Sequence, residues 1–379
     1  MSERKSMLLK LLEPGFAQSI LKTLPKREQG MLTDYVQFPF PAIVGQHEMK
    51  LALILAVINP RIGGVLLIGP RGTAKTVAVR GLIDLLPPVE RSTCRYGCEP
   101  EDAYAGGMDA VCSECATKLA EGEPITAPDR MRLVELPLNS RLEDVIGGID
   151  ERIALEHHKV RLEKGILAYA DKNILYVDEI NLLDDAIVNA ILDASAQGRY
   201  TVRRGPLVAT YRARLVLIGS MNPEEGALRP QIMDRLGLRV IVKGLETPEE
   251  RAEVYRHMAW FARAPHEMIE AYAEEIWAMS EEIKEAKALL PQVAVAAAAE
   301  KMVLETTLRL KIASHRTEFV TLEAARAYAA ADGRLQVGKE DVRAVAKMAF
   351  RQRHSAFMTG YFEQCGQQDQ VIQETIDAL

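Results

Sequence analysis

The sequence lacks the features that define several large classes of protein. Its longest apolar run, residues 51–58, is far shorter than the ~20 residues that a membrane-spanning helix needs. Basic residues are not in excess, because 47 Lys and Arg face 53 Asp and Glu for a net charge of −6, and this argues against nucleic-acid binding. The N-terminus becomes charged at Glu3 and has no apolar signal-peptide core. We therefore expect a cytoplasmic protein with no nucleic-acid partner and no membrane span.

Cysteine is scarce, but four of the five cysteines are clustered. Cys94, Cys98, Cys112 and Cys115 form two close pairs, whereas Cys365 stands apart as an ordinary thiol. In a reducing compartment this spacing favours a metal site over disulfides, and four thiolates suit tetrahedral Zn²⁺. An iron–sulfur cluster, or a redox-active or unliganded set of thiols, is the alternative. We expect a structural Zn²⁺ held by these four side chains.

The pattern of apolar residues divides the chain into three parts. Residues 1–35 are short apolar segments separated by prolines, which suits an N-terminal arm. Between 36 and 245, β-rich runs alternate with helical patterns and predict an α/β core, a parallel sheet flanked by helices, with a cysteine-rich insertion at 90–120. The strand candidates are residues 65–68, 133–136, 174–177, 215–218 and 238–242. Residues 246–379 predict an all-helical domain, with helices near 269–283, 293–312, 321–331 and 339–353 and one short extended stretch at 334–337.

A candidate phosphate-binding loop follows the first of these strands. It reads Gly69-Pro70-Arg71-Gly72-Thr73-Ala74-Lys75-Thr76 and precedes a helical run. In such a loop, backbone N–H groups and the helix N-terminus surround phosphate, the lysine reaches the β- and γ-phosphates, and the last hydroxyl holds Mg²⁺. The alternative is a strand-loop-helix turn with an incidental lysine. The sequence predicts a site for ATP and Mg²⁺.

One position of this loop departs from the usual pattern, because Ala74 stands where a second glycine is typical. Alanine has a Cβ, which disfavours a left-handed backbone. The loop can therefore accept this alanine if the backbone there keeps a negative φ.

Two further candidate groups end apolar strands. Asp178 and Glu179 follow residues 174–177, where we expect Asp178 to bind Mg²⁺ through water and Glu179 to activate the attacking water. Asn222 follows residues 215–218 and is a candidate to polarise the water beside the γ-phosphate. The alternatives are an ordinary acidic strand end and a turn asparagine before Pro223. The order of the three motifs favours nucleotide hydrolysis over either alternative.

With these motifs in order, the chain resembles the AAA+ ATPases, and within them the helix-2-insert branch of chelatase and MoxR-type proteins. The resemblance is greatest to the magnesium-chelatase I-subunit family and covers about residues 38–349. The matching segments are residues 38–46, 142–150, 165–170, 181–184 and 228–236. The resemblance implies that backbone around Ile43 and Val44 lies against the adenine. It also implies that the C-terminal helices form a lid domain.

Two arginines gain roles from the resemblance. Arg235 matches the arginine finger, which a neighbouring subunit inserts beside the γ-phosphate. Arg316 matches the lid arginine called sensor 2, which would touch the γ-phosphate of its own subunit. The alternative for Arg235 is a local ion pair with Asp234 or Glu225. The alternative for Arg316 is a solvated side chain at a helix start. Arg229 is a second candidate for the finger.

A β-hairpin is predicted at residues 198–211, with its turn at Gly205-Pro206. In the resembling branch such a hairpin projects from the core and can transmit motion to a partner. Arg203 and Arg204 would then face an acidic partner surface, although a solvated turn explains them equally well.

The resemblance implies an ATP-hydrolysing motor subunit that powers Mg²⁺ insertion into protoporphyrin IX. It implies a homo-oligomeric ring, a hexamer, with two partners: a von Willebrand-A-bearing AAA+ subunit and a porphyrin-binding catalytic subunit. One alternative is a MoxR-like or cobalt-chelatase-like chaperone ATPase that remodels another metalloprotein with a von Willebrand-A partner. Another is a scaffold that binds ATP without turnover, which the presence of Glu179, Asn222 and Arg235 disfavours.

Overall fold

The computed structural model describes residues 36–94, 97–149, 162–205 and 207–353. The arm expected at residues 1–35 therefore lies outside the described residues. So do Cys365, Pro206 of the hairpin turn and Asp150 at the end of the segment resembling the insert.

Five parallel strands form the central sheet, in the order β4-β5-β8-β1-β9. They are β1 (Val65–Ile68), β4 (Leu133–Leu136), β5 (Ile174–Val177), β8 (Val216–Met221) and β9 (Leu238–Ile241). The first three have the predicted bounds. Strand β8 runs further than predicted because Gly219 and Ser220, which are not apolar, are still paired and buried between β1 and β5.

The other strands form two-residue to six-residue pairs outside this sheet. They are β2 (Val89–Ser92) with β3 (Thr126–Asp129), β6 (Arg199–Arg204) with β7 (Leu207–Arg212), and β10 (Ala294–Val295) with β11 (Gln336–Val337). The first two pairs are antiparallel and the third is parallel. The β6–β7 hairpin has the bounds expected from its turn signal. The short extended stretch expected at 334–337 is the strand β11.

The helices precede, cover and follow the sheet. In chain order they are α1 (His47–Ile58), α2 (Lys75–Gly81), α3 (Pro100–Gly106), α4 (Ser113–Ala120), α5 (Leu142–Ile146), α6 (Ile166–Tyr169), α7 (Asp185–Gln197), α8 (Pro230–Arg235), α9 (Pro248–Arg263), α10 (Pro265–Leu289), α11 (Ala297–Arg309), α12 (Arg316–Ala331) and α13 (Lys339–Phe350). Short 3-10 turns lie at Pro60–Ile62, Leu82–Leu85, Met108–Ala110, Ile180–Leu182, Pro223–Glu225 and Leu290–Gln292. Among the residues described, no helix combines the length and the apolar character needed to cross a lipid bilayer.

Strand β1 separates two hydrophobic cores. Val65 and Leu67 point into a core shared with α1 and the C-terminal helices, and Leu66 and Ile68 point into a core shared with α7. Successive side chains of a strand face opposite sides, so a strand covered on both faces is apolar throughout. This confirms the predicted α/β core with a sheet flanked by helices.

The chain beyond β9 is helical apart from the short strands β10 and β11. Helix α9 was not predicted, because its sequence is rich in charged residues and none of its residues is buried. It is started by Thr247, whose hydroxyl accepts from the backbone N–H of Glu250 at 3.3 Å. Helix α12 is the opposite case: its alanines are buried, which lets neighbouring helices approach closely. The predicted C-terminal helical domain is confirmed.

Candidate nucleotide-binding site

Three adjacent strands bring the predicted motifs together. Strand β8 lies between β1 and β5, and all three are parallel. Their carboxyl ends therefore meet at one edge of the sheet, where parallel α/β folds bind ligands. The loop at Gly69 follows β1, Asp178 and Glu179 follow β5, and Asn222 follows β8.

In the phosphate loop, the lysine donates hydrogen bonds to carbonyl groups of the same loop. Lys75 Nζ donates to the carbonyl oxygens of Gly69 and Pro70, both at 2.7 Å, and the Thr73 hydroxyl also donates to Pro70, at 2.9 Å. Burial lowers the pKa of Lys75, and the carboxylates of Asp178, Glu225 and Glu179 oppose that shift. The loop thus surrounds a cationic group placed at the start of α2.

The condition stated for Ala74, a negative φ, is not met. Its φ is +66° and its ψ is +18°, so it is left-handed, as the usual glycine of such a loop would be. It precedes α2 directly and makes no side-chain cap. The loop geometry overrides the preference of alanine at a cost of roughly 1–2 kcal/mol.

A hydrogen-bonded cluster surrounds the carboxylate of Asp178. Tyr176 OH donates to Asp178 Oδ1 at 2.9 Å, and the Ser220 hydroxyl donates to the same oxygen. Thr76 Oγ1 lies 3.1 Å from Tyr176 OH and 3.5 Å from Asp178 Oδ2. Hydroxyl and carboxylate oxygens are the ligands that Mg²⁺ prefers, directly or through water, so the residues present fit this ion.

Tyr176 and Ser220 are site residues that the sequence analysis missed. Burial raises the pKa of Tyr176, so its hydroxyl stays protonated and donates. A signal existed for each: Tyr176 carries the only polar side chain of β5, and Ser220 falls at the end of β8.

Glu179 is presented by a left-handed backbone, with a φ of +49°, and its N–H donates to Ser220 Oγ at 3.1 Å. Its carboxylate lies 3.2 Å from Arg71 Nη2. Arg71, whose side chain is 72% exposed, also pairs with Glu225. Exposed ion pairs of this kind contribute little stability, so Arg71 is free to move toward a phosphate.

Asn222 is buried and caps the 3-10 turn that follows it. Its Oδ1 accepts from the N–H of Glu224 at 3.3 Å, and its Nδ2 lies 3.5 Å from Glu224 Oε2. Its contacts are those of a turn asparagine at the edge of the sheet. Its role toward a water molecule remains a prediction.

The expected adenine segment is held by its carbonyl groups. Lys50 Nζ donates to the carbonyl of Ile43, and His257 Nδ1 donates to that of Ala42 at 2.8 Å. Burial lowers the pKa of Lys50 to about 8, and Glu275 and Glu253 oppose the shift. Ile43 is buried and Val44 is half-buried. No sequence pattern singled out Lys50, which lies among the apolar residues of α1.

Two of the three candidate arginines form ion pairs with helix α7 of their own chain. Arg235 Nη1 pairs with Asp193 Oδ1 at 2.5 Å, and Arg229 pairs with Asp185 at 2.5 Å; both partners are on α7. Asp193 therefore replaces the two local partners considered for Arg235. Arg316 is exposed at the first position of α12 and forms no ion pair within the described ranges.

The four clustered cysteines come together as predicted. Their sulfur atoms all lie within 4.8 Å of one another, and Cys98 and Cys115 are buried. Tetrahedral Zn²⁺ with ~2.3 Å bonds needs sulfurs about 3.8 Å apart, so the group fits after small rotations. Despite burial, hydrogen bonds from Ser92 and from the Cys98 N–H lower the pKa of Cys94 to about 6.

Ion pairs attach this cysteine module, which we define as residue 94 together with residues 97–129, to the core. Glu99, which is 6% exposed, accepts from Arg214 at 2.6 and 2.7 Å and lies 2.8 Å from Lys172 Nζ. Arg212, at the end of β7, donates to the carbonyl of Gly97 at 2.6 Å and pairs with Asp102. Although burial opposes the shift, Arg214 and Lys172 lower the pKa of Glu99 to about 2.

Two family models match parts of the chain. One describes an AAA lid domain and matches residues 300–375, and the other describes an MCM P-loop domain and matches residues 152–236. The second contains the acidic strand and Asn222, and the first contains Arg316.

Similar proteins cover most of the chain. It is 40% identical over 324 residues to a magnesium-chelatase subunit ChlI homolog of Methanocaldococcus jannaschii, a match that spans 85% of this chain and 87% of the relative. It is 39% identical over 322 residues to magnesium-chelatase subunit ChlI of Synechocystis, spanning 85% and 89%. A crystal structure of a candidate ATPase from Cytophaga hutchinsonii shares the fold, with 17% identity, a TM-score of 0.53 and coverage of 83% and 84%.

The left-handed backbone conformation of Ala74 leads us to predict an effect on protein stability. Replacing Ala74 with Gly should raise the free energy of unfolding by up to ~1 kcal/mol, because glycine adopts positive φ without strain. Denaturant titration of the purified protein measures the change. Ala78→Gly, in the middle of α2, is the matched control and should lower stability. Equal losses in both variants would show that Ala74 is not strained.

Proposed function

This chain belongs to the magnesium-chelatase I-subunit family of AAA+ ATPases, and we propose that it is the ATP-hydrolysing motor subunit of a magnesium chelatase. In that role it powers Mg²⁺ insertion into protoporphyrin IX by a partner catalytic subunit. The observation that carries the proposal is that Lys75, Thr76, Asp178 and Glu179 meet at the carboxyl edge of the sheet, where the parallel strands β1, β8 and β5 lie side by side. The relatives do not favour the MoxR-like or cobalt-chelatase-like alternative.

Each residue of the site takes one part of ATP hydrolysis. Lys75 leaves the two loop carbonyls and binds the β- and γ-phosphates. Thr76, and Asp178 through water, would hold Mg²⁺, which would neutralise phosphate charge. Glu179 accepts a proton from the attacking water, and Asn222 orients that water. Tyr176 and Ser220 hold the Asp178 carboxylate in place by donating hydrogen bonds to it. Ile43 and Val44 contact the adenine.

The second half of the site comes from another subunit. Arg235 is partly exposed and pairs with a surface carboxylate on α7, so it can exchange Asp193 for a nucleotide on a neighbouring chain. Arg316 reaches the nucleotide of its own chain from the lid. Hydrolysis then requires a closed ring, which we propose is a hexamer.

Two partners complete the proposed machine: a von Willebrand-A-bearing AAA+ subunit and a porphyrin-binding subunit. The β6–β7 hairpin and α5 are the elements proposed to carry motion to them. Arg204 near the hairpin turn lies 3.4 Å from Glu143 on α5, so the two elements are linked.

The four clustered cysteines are proposed to bind a structural Zn²⁺. The closed set of four thiolates leaves no position for a substrate, which is typical of a structural site. Because zinc ligation requires reduced thiols, we place the protein in the cytoplasm.

The role of Glu179 can be tested by Glu179→Gln. The variant should bind ATP with unchanged affinity yet lose about 10²–10⁴ of turnover, because the amide cannot accept the proton. Phosphate release and equilibrium nucleotide binding measure the two effects. Glu225→Gln is the matched control, since Glu225 also pairs with Arg71. Equal losses in both variants would assign the effect to Arg71 instead.

A mixing experiment tests the shared site. Arg235→Ala and Lys75→Ala subunits should each be nearly inactive alone, because a finger contributes about 10³–10⁵ to turnover. Mixed together, they should regain ATPase activity, since one subunit binds ATP and the other supplies Arg235. Absence of activity at every mixing ratio, with assembly intact, would exclude action between subunits.

The metal assignment predicts about one zinc per chain by elemental analysis. Cys112→Ser with Cys115→Ser should abolish zinc and lower the melting temperature, because ligation contributes ordering energy. Cys365→Ser is the control and should keep the metal. Bound iron with visible absorbance, or no metal in protein prepared under reducing conditions, would contradict zinc.

A further inference from the structure

The residue beside the proposed finger is held by the lid domain. Asp234 precedes Arg235 at the end of α8, and each of its carboxylate oxygens accepts a bond from a different part of the lid. Arg353 Nη1 donates to Oδ1 at 2.7 Å, and the Ser314 hydroxyl donates to Oδ2 at 3.1 Å.

Arg353 is fully engaged in this contact. Its side chain has no exposed surface, and besides Asp234 Oδ1 it donates to the carbonyls of Asp234, Leu236, Gly237 and Ala349 at 2.7–3.1 Å. A guanidinium has five N–H groups, so every one is used. The end of the lid helix α13 is therefore fixed in one orientation against the turn between α8 and β9.

A second buried arginine strengthens the same junction. Arg239 of β9 is 1% exposed and donates to the carbonyls of Arg351 and Gln352 at 2.8 and 2.6 Å. It also donates to Met233 O of α8, at 2.5 Å. Arg351 returns a bond to Arg239 O at 2.9 Å. Neither Arg239 nor Arg353 is among the residues proposed above to bind ATP.

The other end of the link lies near the residue proposed to sense the nucleotide. Ser314 is two positions before Arg316, at the turn that starts α12. A movement of Arg316 toward the γ-phosphate would move Ser314 with it. The contact from Ser314 to Asp234 would carry that movement to α8.

We propose that Asp234 is a positioning residue through which the lid of one subunit sets the direction of Arg235 toward the nucleotide of the next. This inference rests on the proposed finger role of Arg235. The geometry that supports it is the pair of lid contacts on Asp234, one residue before the finger. Its consequence is that the nucleotide state of one site alters hydrolysis at its neighbour.

The test uses mixed subunits that divide the two roles. Lys75→Ala subunits supply only the finger, and Arg235→Ala subunits supply only the ATP site. Asp234→Asn is placed in one or the other. In the finger-supplying subunit it should lower the ATPase activity of the mixture roughly 10-fold to 100-fold, since a displacement of about 1 Å can cost ~10² in rate. In the ATP-binding subunit, whose finger is already absent, the loss should stay below about twofold.

Equal losses at both locations would overturn the proposal and assign Asp234 a merely structural role. Asp185→Asn, which removes the exposed partner of Arg229 on α7, is the matched control and should change activity at neither location. If Asp234→Asn does not fold, Ser314→Ala replaces it, because Arg353 still holds Asp234. It should show the same asymmetry with a loss of about threefold, and symmetric losses would overturn the proposal.

If the assignment of Arg235 as the arginine finger is wrong, the mixing experiment gives a different result from the one expected if only the role of Asp234 is wrong. If the unmodified pair of Lys75→Ala and Arg235→Ala shows no activity, the proposed shared site is wrong. If that pair is active but Asp234→Asn acts equally in both subunits, only the positioning role is wrong.

Discussion

The carboxylate of Asp178 is the constraint around which the candidate site is organised. It accepts from Tyr176 and Ser220 and lies beside the Thr76 hydroxyl, so β5, β8 and the start of α2 each contribute to one polar cluster at the edge of an otherwise aliphatic sheet. Burying such groups is costly unless they bond one another, and here every hydroxyl faces the acid. The cluster fixes a negative charge next to the phosphate loop and leaves one oxygen of Asp178 directed at Thr76. A divalent cation is the group that this arrangement best accepts.

The two ends of a bound nucleotide would be tied to different parts of the chain. The phosphates would lie at the carboxyl edge of the sheet. The segment expected to contact the adenine is instead bonded to His257 on α9, which follows β9 in the chain. Helix α1 lies in the same hydrophobic core as both the sheet and the lid helices, and Asn59, at its end, donates to Glu323 Oε2 on α12 at 2.7 Å. Because a nucleotide would contact both parts at once, its presence can set the angle between them. A change in that angle would reach α8 through the contact between Arg353 and Asp234.

The predictability of this structure from sequence differs by element for physical reasons. Strands β1 and β5 have the expected bounds because every residue in them is buried, so their apolar runs end where the strands end. Strands β2 and β3 and helix α9 carry mixed residues and form through contacts distant in sequence, which local patterns do not encode. In the site, the motif residues follow from spacing, whereas the left-handed φ of Ala74 is imposed by the loop as a whole. Lys50, Tyr176 and Arg353 act through partners elsewhere in the chain, and only the fold reveals them.

The cysteine module has too small a core to explain its own order. Its buried cluster consists of Cys98, Val111, Cys115 and Ile125, and two of these four are candidate ligands. Ion pairs at Glu99 and Asp102 attach the module but cannot fold it, because they connect it outward to Lys172, Arg212 and Arg214. Under the proposed zinc ligation, a metal supplies what apolar burial does not, with ~10–16 kcal/mol of apparent binding energy in small zinc peptides as a scale. Arg212 ends the β6–β7 hairpin, so the base of the element proposed to reach a partner rests on a module whose order, under that proposal, depends on a metal.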